Sequence, residues 1–493
     1  MSSTSLRTHL PLQVPALTVY NHEDTRNAEA STIYKTGDDL REEPGLDAPS
    51  QTTATTVSRA DFPLHEPRNS SPATREDWDN EATEGVTDRS NLPWKAKWQL
   101  ASACLMNFGN GMNDSAPGAL IPYVETDYGI GYAIVSLFFI SNALGFIIAA
   151  PLTHTIDKAL GRRGTYALSM GLLITGYTII VCHPPFPVIV TAFFLLGFGM
   201  ALSIALNNVF CANLPDSTTA LGCFAGSYGI GGVISPLIAT VMVSKDIRWS
   251  LFYTIAMAVS VANLALSLWA FAEFEVSSPL RSAAQSTSSS TVNNEPNSRI
   301  QVLKMALRSR TTIFGSLFIF VYQGAEVSVS GWVVSFLIDY RGGNPSHVGY
   351  VSAGFWAGIT LGRFLLVYPA HRFGEKISVA LMVAGAVLFQ LMVWLIPNIV
   401  GEAVAVAILG VLLGAVFPCA TAVFAKLLPR RIQLSSLSFI SALGSSGGAV
   451  FPFLTGILAQ NVGTMVLHPI CLALYGAMAI SWSLLPKIVK PSD

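Results

Sequence analysis

The sequence predicts an all-α membrane protein of twelve transmembrane helices arranged as two six-helix pseudo-repeats. Three observations support this. Hydrophobic residues make up 51% of the 493-residue chain and charged ones only 12%, with the charges gathered in tails and short connections. Apolar stretches of the roughly 20 residues a membrane helix needs recur twelve times. Short glycine frames in the first six stretches return in the last six at a nearly constant offset.

Residues 1–93 are rich in Ser, Thr, Asp, Glu, Arg and Pro and contain no apolar run, so ordering them would cost more entropy than their burial returns. They read as a disordered cytoplasmic tail. No signal-peptide or transit pattern opens the chain, so the first membrane helix reads as the targeting signal. The N-terminal bundle, 94–271, holds segments 98–123, 131–153, 165–183, 187–211, 218–243 and 249–271. A Ser-, Asn- and Thr-rich stretch, 272–310, containing Ser286 to Ser290, reads as a flexible cytoplasmic linker. The C-terminal bundle, 311–488, holds segments 311–338, 346–370, 377–396, 401–426, 433–459 and 465–486.

Orientation follows from the basic residues. With the distal tail excluded, seventeen Lys and Arg fall on the tail side, among them Lys158, Arg162, Arg163, Arg308, Arg372, Lys376 and Lys426, against Lys245, Arg248 and Arg341 on the other. The positive-inside rule then puts both termini in the cytoplasm, as does an even segment count.

The halves repeat. Gly231-Gly232-x3-Pro236 in segment 5 returns as Gly447-Gly448-x3-Pro452 in segment 11, an offset of 216; Gly111-x6-Gly118 in segment 1 returns as Gly324-x6-Gly331 in segment 7, an offset of 213. Parallel repeats of this kind place substrate sites at their interface near the bilayer midplane. Within the second pair of frames lie Asp114 and Glu326. An acid at membrane depth costs several kcal/mol unless solvated or paired, so it marks a path for a solute, an ion or a proton. Superposing the frames sets Asn113, rather than Asp114, opposite Glu326.

A formal charge of −1 and the lack of a basic stripe with interleaved aromatics give no reason to expect nucleic acid. The six cysteines have no metal-type spacing and read as packing residues. There is no zinc-protease motif, phosphate loop or nucleophile–base arrangement, so neither an enzyme nor a cofactor is expected.

The 2–3 connection, Asp157-Lys158-Ala159-Leu160-Gly161-Arg162-Arg163, and the 8–9 connection, His371-Arg372-Phe373-Gly374-Glu375-Lys376, resemble the two copies of the Asp-Arg-x-Gly-Arg-Arg signature of the major facilitator superfamily. The resemblance implies the twelve-helix major facilitator fold and a gating role for Asp157, Arg162, Arg163 and Arg372. The chain departs from the signature by one extra residue before Gly161 and by His371 where an acid is usual. Arg363 in segment 8, on the cytoplasmic side of its midpoint, joins this group or reaches the substrate.

Segment 1 runs Phe108-Gly109-Asn110-Gly111-Met112-Asn113-Asp114 and resembles the first helix of the fucose:proton symporter group of that superfamily, which implies that Asp114 serves proton coupling or sugar binding. The tail and the overall pattern suggest a fungal branch of that group. Segment 4, with Gly197, Gly199, Ser203, Asn207 and Asn208, is similar to the group's fourth helix but lacks its glutamate. Glu326, with Gln323 and Tyr322 beside it, stands as a replacement. Tyr228, Trp332, Phe355 and Trp356 are second-tier candidates for ligand stacking.

The sequence thus reads as a secondary transporter of a small organic solute, acting as a monomer in the lipid bilayer by alternating access. It leaves open sugar-like uptake against metabolite efflux, and it favours the plasma membrane, with the vacuolar membrane second. The competing expectation is a non-transporting nutrient sensor on a transporter fold.

Overall fold

The computed structural model describes residues 93–272 and 304–486; the predicted tail and most of the predicted linker lie outside them. Among the described residues there is no strand. The helices are α1 Trp94–Tyr128, α2 Tyr132–Val135, α3 Leu137–Val181, α4 Phe186–Ala212, α5 Ser217–Ser244, α6 Phe252–Ala270, α7 Arg310–Asp339, α8 Pro345–Val348, α9 Tyr350–Leu365, α10 Val367–Phe373, α11 Glu375–Leu395, α12 Ile399–Leu427, α13 Arg430–Val462 and α14 Leu467–Ser483.

Nine spans among the described residues are long and apolar enough to cross a membrane, or ten when the pair Pro345–Leu365 and Val367–Phe373, bent by 44°, counts as one. The α2–α3 run is a single 50-residue span in that count, but Gly161 breaks it at φ 70°, ψ 171°, so it supplies two crossings. A left-handed φ is open to glycine at little cost, and Gly374, 213 residues later, breaks the second half at φ 107°. Helix α1 falls below the hydropathy of the others while carrying Asn107, Asn110, Asn113 and Asp114. With it the crossings number twelve, and the all-α fold is as the sequence predicts.

Glycine contacts repeat between the halves residue by residue. A methyl on Gly145 of α3 would overlap the Phe194 carbonyl and Phe198 amide of α4; one on Gly358 of α9 would overlap the Ala407 carbonyl and Val411 amide of α12. Every residue of the second set lies 213 positions after its mate in the first. The segment 5 and 11 glycines do the same: Gly231 abuts the Phe108 carbonyl of α1, and Gly447 the Phe320 carbonyl of α7. Small residues that let backbones approach closely are what pack helices in lipid.

The two halves meet mainly toward one end of the bundle, the end at which α1 finishes and α7 finishes. There Tyr123 donates to the Pro345 carbonyl at 3.0 Å, Tyr132 to Asp339, and the Ala133 amide to Gln460 at 3.5 Å. All hydrogen bonds between the halves among the described residues are of this set. Gly118 abuts Ser330 and Ser352, Gly456 abuts Ser136, and Gly349 abuts Thr240. Toward the other end, where Arg162, Arg372 and Lys426 lie, the last inter-half glycine approach is Gly226 to the Phe364 ring, which a methyl on Gly226 would meet at 3.7 Å. Among the described residues the contacts between the halves thus gather at the first, sealed end and thin out toward the basic one.

Candidate functional site

Asp114 sits near the middle of the long helix α1, about 21 Å from its sealed end at 1.5 Å per residue. The approach of Gly111 to the Tyr228 backbone and of Gly231 to that of Phe108 brings α5 close enough for the Tyr228 hydroxyl to donate to Asp114 Oδ2 at 2.8 Å. The Asn113 amide lies 3.5 Å from Asp114 Oδ1. Asp114 and Tyr228 both retain partial exposure, so this pair borders the cleft.

Asn113 points into the N-terminal half, with Nδ2 3.1 Å from Met200 Sδ and the Tyr177 hydroxyl donating to Oδ1 at 3.4 Å. Asn110 reaches Ser203 at 3.5 Å, the place where a glutamate is expected by resemblance, and its Oδ1 is buried with no partner. Ser203 in turn donates to the Met200 carbonyl at 2.9 Å, so it fills the position without offering charge. Asn207 is fully buried and held by Tyr166 at 2.7 Å, turned into the half's own core. Its neighbour Asn208, a 100° helical step away, is exposed.

In the other half, Glu326 on α7 is 6% exposed and its Oε2 has no hydrogen-bond partner. Tyr322, one turn before it, donates its hydroxyl to the Leu413 carbonyl of α12 at 3.0 Å. Gln323 is half-buried. Trp356 of α9 donates to Ser330 at 3.0 Å, and its ring meets that of Tyr228 edge-on at 6.0 Å, joining the two halves beside Asp114. Sequence reasoning ranked Tyr228 and Trp356 below the polar residues. The signal for Tyr228 was its place three residues before the repeated Gly-Gly pair.

Arg363 lies two turns after Trp356 on the same face of α9, near where the α5–α9 contact ends. It is within electrostatic range of Glu326, Tyr322 and Tyr228, and it forms no hydrogen bond or ion pair among the described residues. Arg363 thus lies on α9 close to Glu326 and Tyr228.

The connections themselves are charge-paired. Arg162 Nε lies 3.5 Å from Asp157, and its Nη1 donates to the Leu206 carbonyl at the end of α4 at 3.2 Å, while Arg163 is exposed. With Gly161 and Gly374 as the matching register, Glu375 takes the place of Arg162, so the charge is reversed. Glu375 accepts from Lys426 of α12 at 2.6 Å and from His371 at 2.9 Å. Each connection is thus tied to the end of the helix two crossings on, by opposite signs. Arg372 stacks over the Tyr368 ring at 5.5 Å.

At the sealed end, beyond the predicted first span, Glu125 faces Asp339 across the join. Burial, reinforced by the Asp339 charge, pushes the Glu125 carboxyl from 4.5 up to about 8. When the join opens into water the group returns toward its ordinary value, so closure takes up a proton. Closure is unpenalised below about pH 4.5, weakens as pH rises, and carries the full penalty above about pH 8. Labelling of a cysteine at Thr240 by an impermeant maleimide, in a background lacking Cys182 and divided at each pH by the rate of a permanently exposed cysteine so that thiol ionisation cancels, is therefore expected to be faster at pH 9 than at pH 6. Glu125→Gln should flatten that difference.

The family model described as Major Facilitator Superfamily matches residues 103–452. The chain is 28% identical over 446 residues to Bypass of stop codon protein 6 of Saccharomyces cerevisiae, covering 86% of this chain and 89% of that one. It is 22% identical to the Hexuronate transporter of Bacillus subtilis, covering 78% and 93%, and 24% identical to a Glucose/galactose transporter of Brucella abortus, covering 74% and 88%. Among solved structures, the nucleoside transporter NupG superposes with a TM-score of 0.61 at 13% identity, over 79% of this chain and 98% of that one. The matched span, the twelve crossings and the paired connections agree: the chain belongs to the Major Facilitator Superfamily.

Proposed function

We propose that this secondary transporter moves a small polyhydroxylated solute together with protons, with Asp114 as the coupling acid. The observation that carries the reading is Asp114 itself, an acid at mid-membrane that borders the cleft and is held by a hydroxyl from another helix. A carboxyl so placed exchanges protons with cleft water, and a solute hydroxyl can compete with Tyr228 for its oxygens. Binding of both then biases which end of the cleft is closed, because each ligand has a different affinity for the two arrangements. The unpartnered Asn110 Oδ1 and the half-buried Gln323 supply further acceptor and donor groups. Glu326 is a second protonation site in the half that lacks a counterpart of Asp114.

The sugar-type relatives support a hydroxylated solute. The residues around Asp114 support proton coupling, and the Lys and Arg distribution supports both termini in the cytoplasm. In that orientation the sealed end faces outward. The test is purified full-length protein in proteoliposomes with an imposed proton gradient and a panel of labelled sugars, sugar acids and polyols. Uphill accumulation of one member, collapsed by a protonophore, is expected; a solute that binds but never crosses would establish a sensor instead.

A further inference from the structure

From Arg363 we infer that the solute carries a single carboxylate, which docks on this guanidinium while its hydroxyls reach Asp114, Asn110 and Gln323. The inference rests on the transporter reading above and narrows it from hydroxylated solutes to their monoacids.

The argument begins with what leaves Arg363 without a partner. Arginine stays charged at any physiological pH, and at membrane depth it is normally paired or turned to a carbonyl. Here it has neither among the described residues, although Glu326 is close enough to interact electrostatically. Counted from the sealed ends of their helices, Tyr350 and Asp339, Arg363 and Glu326 both lie about 20 Å in at 1.5 Å per residue, so the two are level yet joined by no hydrogen bond.

The face of α9 that carries it fixes where it points. Trp356 packs on Gly232, Thr360 on Gly229 and Phe364 on Gly226, whereas Gly358 and Gly362 turn the opposite side to α12. Arg363, at i+7 from Trp356, therefore continues the α5-facing stripe to where the halves part. Its charge acts on Tyr228 of one half and on Tyr322 of the other. A cation in that place, half-buried and with all its donors free, matches a planar carboxylate by two parallel hydrogen bonds.

With Asp114 and Glu326 protonated, charge balance limits the ligand to a monoanion. Around the cleft centre Arg363 is the only cation among the described residues, and Asp114 and Glu326 are the neighbouring acids. A phosphate dianion would face them with one charge uncompensated. A neutral sugar would leave the guanidinium as it stands, with its desolvation unrecovered. The Tyr228 and Trp356 rings, edge-on at 6.0 Å beside Asp114, offer apolar edges on which a sugar-acid ring can lie.

The experiment uses the full chain in nanodiscs, with D-glucuronate and D-glucose as matched acid and neutral probes and benzoate as an acid without hydroxyls. Binding is read by tryptophan fluorescence and by thermal shift, and movement by proteoliposome flux. Glucuronate is expected to bind and glucose not to. Arg363→Gln should weaken glucuronate roughly 10- to 100-fold, as loss of a charge-assisted hydrogen bond does, and Arg363→Lys should recover part of it. The unliganded melting temperature of each variant reports whether it folds. Equal binding of glucose and glucuronate, or wild-type glucuronate affinity in a folded Arg363→Gln, overturns the inference while leaving the transporter reading intact. Arg363-dependent binding of benzoate without glucuronate keeps the anion site and removes the hydroxylated solute. Glucuronate that binds through Arg363 but never crosses keeps the site and removes transport. Failure of every carboxylate probe to bind overturns the inference.

Discussion

Replacing Asp114 by Asn is expected to abolish proton-driven accumulation while leaving the protein folded and inserted. The amide keeps an oxygen that can accept from Tyr228, now 2.8 Å from the carboxylate, so the α1–α5 contact built on Gly111 and Gly231 survives. What is lost is the group that can change charge. The variant should still equilibrate its solute, with the inside-to-outside ratio falling to about one under an imposed proton gradient, because the group that binds both the proton and the solute is gone. Proteoliposome uptake with and without the gradient measures this, and undiminished coupling in the variant would remove Asp114 from the proton path. Glu326→Gln separates the second acid. Unchanged affinity together with unchanged pH dependence would make Glu326 a packing residue that relieves its unpartnered oxygen by holding a proton permanently.

Much of this architecture was legible because the period of the helix and the offset of the repeat are both written in residue types. Gly111 and Gly231 announce a close crossing, and an acid beside such a crossing in an apolar run has few structural reasons to be there. The 213-residue register goes further than the motifs: it pairs Gly145 with Gly358 and Gly197 with Gly410, and it matches Gly161 to Gly374. That last match sets Glu375 opposite Arg162. Reading the second connection by its resemblance to the signature points instead to Arg372, whereas the register shows the charges of the two connections inverted, with Lys426 the partner of Glu375. Asn207 and Asn208 illustrate a different limit. Adjacent in sequence, they part by one helical step, and only packing decides that one is locked by Tyr166 while the other is exposed. Which end of the cleft is closed was not legible at all, since both arrangements draw on the same apolar pattern and differ only in rigid-body placement.

That closed end supplies the second large effect. A Cβ built on Gly349 would stand 3.1 Å from Thr240 Cβ, just under the roughly 3.5–4.5 Å separation of disulfide-bonded Cβ atoms, and a small shift of the short α8–α9 junction brings the pair into range. The double variant T240C/G349C therefore joins the N-terminal half to the C-terminal half across the sealed end. If transport requires that end to part, oxidation of the double variant is expected to reduce flux to the protein-free background, and a reductant is expected to restore it. Each single variant should be insensitive to both treatments, which controls for the native cysteines, including the exposed Cys182 and Cys223. Solute binding should survive the cross-link, because the cleft is still open toward Arg162 and Lys426 and the residues around Asp114 are untouched. Binding kept and flux lost is the signature of alternating access, since it shows that occupancy of the site is separable from passage through it. Full flux in the cross-linked protein would mean that the solute does not pass between Thr240 and Gly349, and that the halves do not rock about the Asp114 site.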